Sequence, residues 1–231
     1  LGFAPYGPAI DGATFSDSPA QLLADGAGID VPLMVGSNLN EMTVFLLGTT
    51  RPATTDAIRA HFLSAVGNDE ETADALMELY DVTTAEDAPR AFEAFATDRS
   101  FACDALSIAE AAAAAGREVY LYEFQHVVGN QADTFGVGHG FELPYVFGTL
   151  DRFSLFAAMR GEREDRTVVR TQTAWSSFAR DGVPEFEGGW PRFTAETHEY
   201  MRIDDPSSVD DAFRQDRCAA LDALGISVGV L

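Results

Sequence analysis

The sequence contains no lysine, so its 15 basic side chains are all arginine. They face 37 acidic residues, and the formal net charge at pH 7 is -22. A chain with this charge repels nucleic-acid phosphates and anionic membrane surfaces. We therefore expect no nucleic acid and no anionic membrane as partners. Two origins of the bias stay open: adaptation to high salt, and a GC-rich coding sequence with ordinary acidity.

Other missing features exclude further classes. No apolar run reaches the ~20 residues that a membrane-spanning helix needs, so we expect no membrane span. The start has neither an initiator Met nor a signal-peptide pattern, and we expect it to be an entry point into a longer chain. Glycine-rich phosphate-binding loops are absent. The two cysteines have no His or Cys at metal-ligand spacing, which argues against a zinc site.

What the sequence does contain is apolar residues in strand-like and helix-like runs, which supply enough material for a substantial core. The predicted strands span residues 31–37, 118–126 and 199–203. The predicted helices span residues 19–23, 55–66, 70–79, 88–96, 101–115, 163–180 and 212–223. Strands separated by long helical stretches predict an α/β fold with a largely parallel sheet.

Single residues mark several of the predicted boundaries. Thr55 is a plausible N-cap for its helix, because its hydroxyl can accept a hydrogen bond from the first turn. Gly116 and Gly182 are expected to end the helices that precede them. Residues 141–147 form a short helix or a turn that Pro144 interrupts.

One of the four histidines differs from the others in its setting. His61 and His198 are expected to be solvated, and His126, at the end of the strongest strand, stays open. His139 lies between glycines in a loop that follows this strand. Enzymes with α/β folds keep acid–base groups on such loops at the carboxyl ends of strands. The alternative is a loop histidine without a chemical role.

A histidine that acts as a base in a hydrolase is accompanied by a carboxylate and a serine. Glu41 follows the first predicted strand, although an isolated glutamate in so acidic a chain is usually solvated surface. No serine lies in a Gly-x-Ser-x-Gly turn, the sharp bend that exposes a hydrolase nucleophile. Ser37 comes nearest, but Val35 and Leu39 stand where glycine permits the tight turn. The sequence therefore offers a candidate acid and base without a nucleophile.

Five segments, in order along the chain, carry a recognisable pattern. They are Pro8-Ala-Ile-Asp-Gly12, the Val31–Phe45 segment containing Val-Gly-Ser-Asn-Leu-Asn-Glu, Val119-Tyr-Leu-Tyr-Glu-Phe124, His139-Gly-Phe-Glu-Leu-Pro-Tyr-Val-Phe-Gly148, and Trp175-Ser-Ser-Phe-Ala-Arg-Asp-Gly-Val-Pro184 with Trp190-Pro191 downstream. Together they resemble the C-terminal portion of the type-B carboxylesterase family, which includes cholinesterases and bacterial p-nitrobenzyl esterases.

The resemblance implies a fold and a set of site residues. Residues 1–231 would be the C-terminal portion of one α/β-hydrolase domain, with few sheet strands and long helical insertions. Glu41 would be the acid of a catalytic triad and His139 its base. Glu142 would support the active-site loop. Val44 and Phe45 would lie near the substrate pocket, with core packing as the equal alternative.

The sequence departs from the family pattern at one residue and in its extent. Met42 replaces the usual glycine after the acid, which affects the expected path of that loop. The nucleophile half is absent, and the triad order of serine, acid and histidine predicts the serine before residue 1.

The resemblance also implies an activity and its limits. The complete enzyme would hydrolyse small carboxylic esters through an acyl-serine intermediate, without a cofactor. This chain alone would be inactive and would need the N-terminal half as its partner. Two alternatives stay open: a non-catalytic binding protein like the adhesion relatives of cholinesterases, and one half of a split or nicked esterase.

The two cysteines take on a meaning from the same comparison. Cys103 and Cys218 resemble a pair that forms a disulfide in cholinesterases, and we predict that bond here. Two buried free thiols are the alternative. The compartment is unknown, but a disulfide would indicate an oxidising one, such as the extracytoplasmic or secreted environment.

Overall fold

The computed structural model describes residues 9–27, 30–129, 136–211 and 213–226 of the chain. Its strands are β1 (Leu33–Asn38), β2 (Val119–Phe124), β3 (Tyr200–Ile203) and β4 (Ser208–Asp210). Its α-helices are α1 (Pro19–Ala24), α2 (Thr55–Ala65), α3 (Glu70–Leu79), α4 (Ala88–Thr97), α5 (Cys103–Ala114), α6 (Leu143–Val146), α7 (Ser154–Met159), α8 (Glu162–Asp181) and α9 (Gln215–Ala223). Pro8 of the first matched motif and Ala212, the predicted start of the last helix, lie outside the described residues.

The four strands form one sheet in the order β1-β2-β3-β4. β1, β2 and β3 are parallel, and β4 pairs with β3 in the antiparallel direction. The predicted α/β fold with a largely parallel sheet is therefore confirmed. The sequence prediction missed β4, because a three-residue edge strand of Ser-Val-Asp carries too little apolar alternation to be recognised.

Helices cover both faces of the sheet, as expected for parallel strands that read as continuous apolar runs. On one face Val119 and Leu121 of β2 pack with residues of α2, α3, α4, α5 and α9, including Phe62 and Phe95. On the other face Tyr120 and Phe124 pack with residues of α6, α7 and α8, among others. Each face of β2 thus has its own apolar core. The first core lies on the face covered by α2, α3, α4, α5 and α9, and the second lies on the face covered by α6, α7 and α8.

Most predicted helix ends lie within a few residues of the observed ones, and two boundary predictions were wrong. The N-cap of α2 is Thr54 rather than Thr55, and its hydroxyl accepts a hydrogen bond from the Ala57 amide at 3.1 Å. Pro144 does not interrupt a helix, because it lies in the first turn of α6, where no amide hydrogen is needed. The α8 helix ends at Asp181, one residue beyond the predicted end, and Gly182 follows as its C-cap.

The histidines expected to be solvated are both half-buried. The ring of His61 packs edge-on against Phe92 at a centroid distance of 4.7 Å, and burial lowers the pKa of its imidazole. His198 packs against Phe193 at 5.8 Å. His126, which the sequence left open, is 2% exposed. For His61, helical spacing alone did not reveal that an aromatic side chain of α4 would cover the ring.

The predicted disulfide between Cys103 and Cys218 is confirmed. Both sulfurs lie in the core beside the first face of the sheet, and the bond joins the start of α5 to α9. Among the described helices, none is both long enough and apolar enough to cross a membrane.

Candidate active site

The parallel register of β1 and β2 brings the two candidate chemical groups together. Leu33 is opposite Val119 and Asn38 is opposite Phe124, so both strands end at the same edge of the sheet. Glu41 begins a short helical turn just after β1, and His139 lies in the loop between β2 and α6. This edge is where open α/β sheets bind their ligands.

Glu41 and His139 are hydrogen-bonded although they lie 98 residues apart in sequence. The distance from His139 Nδ1 to Glu41 Oε2 is 2.7 Å. Because a carboxylate only accepts hydrogen bonds, the Nδ1 atom carries the proton, and Nε2 becomes the basic nitrogen of the neutral ring. The His139 side chain is 49% exposed, so the imidazole is accessible from outside the chain.

The Glu41 carboxyl is buried and fixed at both of its oxygens. The residue is 6% exposed, and its Oε1 accepts a hydrogen bond of 2.7 Å from the backbone amide of Asn38. Burial raises the pKa of the Glu41 carboxyl, while the hydrogen bonds from Asn38 and His139 act in the opposite direction. This carboxyl can therefore orient the imidazole and stabilise its protonated form.

Backbone hydrogen bonds hold the acid loop (residues 38–44) against the histidine loop (residues 136–142). The Asn40 amide donates to the Val137 carbonyl at 3.0 Å, and the Val137 amide donates to Asn40 Oδ1 at 3.1 Å. The His139 amide donates to the Glu41 carbonyl at 3.2 Å. The relative position of acid and base therefore depends on the backbones of both loops as well as on the side chains.

Two glycines permit this close approach. Gly136 has a φ of +54°, and a Cβ added there would lie 2.4 Å from Asn40 Oδ1. At Gly138 an added Cβ would lie 2.4 Å from Val44 Cγ2. Any larger residue would push the histidine loop away from the acid loop.

Glu142 does not touch the imidazole through a hydrogen bond but is joined to the site through Asn38. The Asn38 side-chain nitrogen donates to Glu142 Oε2 and, at 2.9 Å, to the Gly138 carbonyl. Asn38 is 1% exposed. The motif that contains this residue did not indicate a role for it; a polar residue at the end of a buried strand was the available signal.

Two aromatic rings lie beside the imidazole. The centroid of the His139 ring lies 5.1 Å from Phe45 and 5.0 Å from Phe101. The planes of Phe45 and Phe101 are 11° apart. Of the two predicted pocket residues, Phe45 lies beside the imidazole, whereas the side chain of Val44 packs over Gly138. The position of Phe101 was not predicted, because its helix gave no signal of a nearby site.

A buried ionic cluster supports the acid loop from the side of the first core. Arg214 Nη2 donates to the Leu39 carbonyl at 2.6 Å, and Arg214 forms ion pairs with Asp98 and, at 2.8 Å, with Glu123. The hydroxyl of Tyr80 donates to Asp98 at 3.0 Å. Since Asp98 and Glu123 are almost fully buried, their ion pairs with this arginine offset part of the cost of burying charge, and the same arginine holds the loop.

The structure brings no serine to this pair within the described residues. None of the serines there hydrogen-bonds the His139 ring, and Ser37 is buried in β1, 3% exposed. Met42, the departure from the family pattern, is buried and donates its amide to Thr97 Oγ1 at 3.2 Å. Across the described part of the chain, no group of three or more His, Cys, Asp or Glu side chains is placed to hold a metal ion.

Comparison with known proteins agrees with this architecture. The model of the carboxylesterase family matches residues 1–221. The chain is 28% identical to the acetylcholinesterase of Bungarus fasciatus over 93% of its own length and 38% of the relative's length. It is 26% identical to the para-nitrobenzyl esterase of Bacillus subtilis (strain 168), over 89% of the chain and 41% of the relative.

A third relative is the fumonisin B1 esterase of Sphingopyxis macrogoltabida, 31% identical over 82% of the chain and 35% of the relative. The chain thus spans less than half the length of these relatives. The family model extends over nearly the whole chain, and the chain belongs to the carboxylesterase family.

Proposed function

We propose that this chain supplies the acid and the base of a serine carboxylesterase, with Glu41 as the acid and His139 as the general base. The observation that carries the proposal is the 2.7 Å hydrogen bond from His139 Nδ1 to the buried Glu41 carboxylate. It leaves the other ring nitrogen free to exchange a proton in a half-exposed position. Homology to the carboxylesterase family supports ester hydrolysis in general.

The proposed reaction follows from this geometry. His139 Nε2 takes the proton from a serine hydroxyl as its oxygen attacks the ester carbonyl, and then gives that proton to the leaving alcohol. Water, deprotonated by the same nitrogen, hydrolyses the acyl-serine and releases the acid. Glu41 keeps the imidazole in the Nδ1–H tautomer and stabilises the imidazolium that forms in each step.

The serine and the oxyanion hole come from another segment in this proposal. Triads on this fold run in the order serine, acid, histidine, which places the serine N-terminal to Glu41. Among the described strands, β1 pairs only with β2, so its other edge is available for a further strand. We propose the N-terminal half of the same enzyme as the partner that covers this edge.

The aromatic rings beside His139 suggest the character of the substrate. Phe45 is 38% exposed and lies at the imidazole, where the reacting ester must also lie. An apolar acyl or alcohol group of a small ester would bury itself against this ring. A purely binding role has no need of a hydrogen-bonded Glu–His pair, and the pair therefore favours the enzyme over the adhesion-type alternative.

The test is hydrolysis of p-nitrophenyl acetate by the 231-residue chain alone and by the complete protein that includes the serine-bearing segment. We expect the chain alone to match the buffer rate and the complete protein to turn over. His139→Asn, which keeps an amide near Glu41 but has no base, should lower kcat on the order of 10⁶-fold. His198→Asn is the matched control and should retain activity. A complete protein whose hydrolysis survives His139→Asn would contradict the assignment.

A further inference from the structure

We infer that Asn38 is a positioning residue that holds Glu41, Glu142 and the histidine loop in register, and that its amide cannot be replaced by a carboxylate. It is the last residue of β1, and its neighbour Leu39 donates to the Phe124 carbonyl at 3.0 Å. Its own backbone is therefore fixed by the sheet. The side chain is 1% exposed and has no competing solvent.

Asn38 uses three donor hydrogens, and each has a separate acceptor. Its backbone amide donates to Glu41 Oε1 at 2.7 Å. Its side-chain nitrogen donates one hydrogen to the Gly138 carbonyl at 2.9 Å and the other to Glu142 Oε2. One residue thus contacts the acid, the backbone next to the base, and a second carboxylate.

The first of these hydrogen bonds fixes the orientation of the Glu41 carboxylate relative to the imidazole. Because Oε1 of Glu41 accepts from Asn38, Oε2 is the oxygen that receives the Nδ1 hydrogen of His139. The bond to Gly138 fixes the residue that precedes His139. Acid and base are therefore both aligned to the end of β1.

The remaining hydrogen bond gives the Glu142 carboxylate a donor close to a second carboxylate, that of Glu41. Glu142 lies near enough to Glu41 for its charge to raise the pKa of the Glu41 carboxyl. The Asn38 side-chain amide gives the Glu142 carboxylate a hydrogen-bond donor. A carboxylate at position 38 would instead face the Glu142 carboxylate and the Gly138 carbonyl without any side-chain hydrogen to donate.

The first test needs only the 231-residue chain. Long-range ¹H–¹⁵N NMR correlations from the carbon-bound ring protons report the tautomer of His139 at a pH where the ring is neutral. We expect the Nδ1–H tautomer in the original chain and a shift toward the Nε2–H tautomer in Asn38→Asp. Asn68→Asp, which adds the same charge at an exposed loop residue, should leave the tautomer unchanged.

The second test rests on the proposed function and uses the complete protein. Since Asn38 positions catalytic groups and touches no substrate, Asn38→Asp should lower kcat by about 10²-fold and leave KM within about threefold. In the double variant Asn38→Asp/Glu142→Gln, the side chain at position 142 donates the hydrogen bond and the side chain at position 38 accepts it. It should regain about tenfold in kcat, the equivalent of one restored hydrogen bond.

The outcomes are distinguishable. Unchanged tautomer and kcat in Asn38→Asp would overturn the inference, and so would a loss of kcat that the double variant fails to recover. If Asn38→Asp does not fold, as judged by circular dichroism, Asn38→Ser provides the same comparison, because its hydroxyl is too short to reach both acceptors. If the complete protein hydrolyses no ester, the proposed function fails while the tautomer still decides the role of Asn38.

Discussion

At the scale of single residues, two partly or fully buried carboxyl groups differ in what compensates their burial. Glu41 accepts hydrogen bonds from Asn38 and His139, which favour its ionised form. Asp104 has no such hydrogen-bond donor among the described residues, and burial raises the pKa of its carboxyl from the usual 3.8 to about 6. It lies in α5, which continues α4 through a wider turn at Asp98–Ala102, so no free amides of a helix start are available to it.

The raised pKa of Asp104 predicts a pH-dependent stability effect. A group whose pKa is higher in the folded state stabilises the fold at low pH, and this contribution is lost as the pH rises through about 6. Asp104→Asn should therefore raise the Tm at pH 8 and have little effect near pH 4. Glu110→Gln, at an exposed position of the same helix, is the control and should change the Tm similarly at both pH values. A Tm gain for Asp104→Asn that is the same at pH 4 and pH 8 would contradict this explanation.

At the scale of elements, the proposed function depends on how two loops meet. The acid loop follows β1 and the histidine loop follows β2, and the hydrogen bonds between them involve backbone atoms of both. Side chains can adjust by rotating, whereas a displaced backbone moves every group that it carries. The close approach of Gly138 to Val44 is therefore a sensitive point of the contact.

Gly138→Ala should separate the two loops. The added methyl group would lie 2.4 Å from Val44 Cγ2, well inside van der Waals contact. We expect a loss of about 1–3 kcal/mol in the free energy of unfolding, measured by urea denaturation, because overpacking forces the backbone to shift. Adding Val44→Ala removes the clashing methyl group and should recover most of this loss. If Val44→Ala alone and the double variant each lose as much free energy of unfolding as Gly138→Ala does, the contact between position 138 and Val44 is not the cause of the loss.

At the scale of the whole molecule, long-range links join distant parts of the chain around the first core. The disulfide closes a loop of 115 residues between α5 and α9. The Arg214 cluster connects the start of α9 to the acid loop and to β2. The chain as a whole carries a formal net charge of -22 at pH 7, and self-repulsion of so acidic a chain favours expansion at low ionic strength.

Loss of the disulfide should therefore destabilise the chain markedly. In the chain-entropy model a loop of this length contributes roughly 4–5 kcal/mol. We expect Cys103→Ala/Cys218→Ala to lose free energy of unfolding of this order in urea titrations. Reductant should destabilise the original chain and leave the double variant unchanged. A loss below about 1 kcal/mol would show that other contacts between α5 and α9 suffice.

The sequence by itself determined the local elements and the resemblance. Helical periodicity predicted α3 at its observed bounds and α8 with its end before Gly182, because these features depend on neighbouring residues. Motif order gave the family and drew attention to Glu41, His139, Glu142 and the cysteine pair. It did not reveal β4 or the burial of His61, which depend on partners elsewhere in the chain.

Only the tertiary structure decided how the candidate site is built. The 2.7 Å contact between Glu41 and His139 exists because the parallel register aligns the ends of β1 and β2. The roles inferred for Asn38 and the position of Phe101 also depend on that register, since their partners lie far away in sequence. Local patterns specify which elements form, whereas distances between distant side chains are fixed by the packing of all elements together.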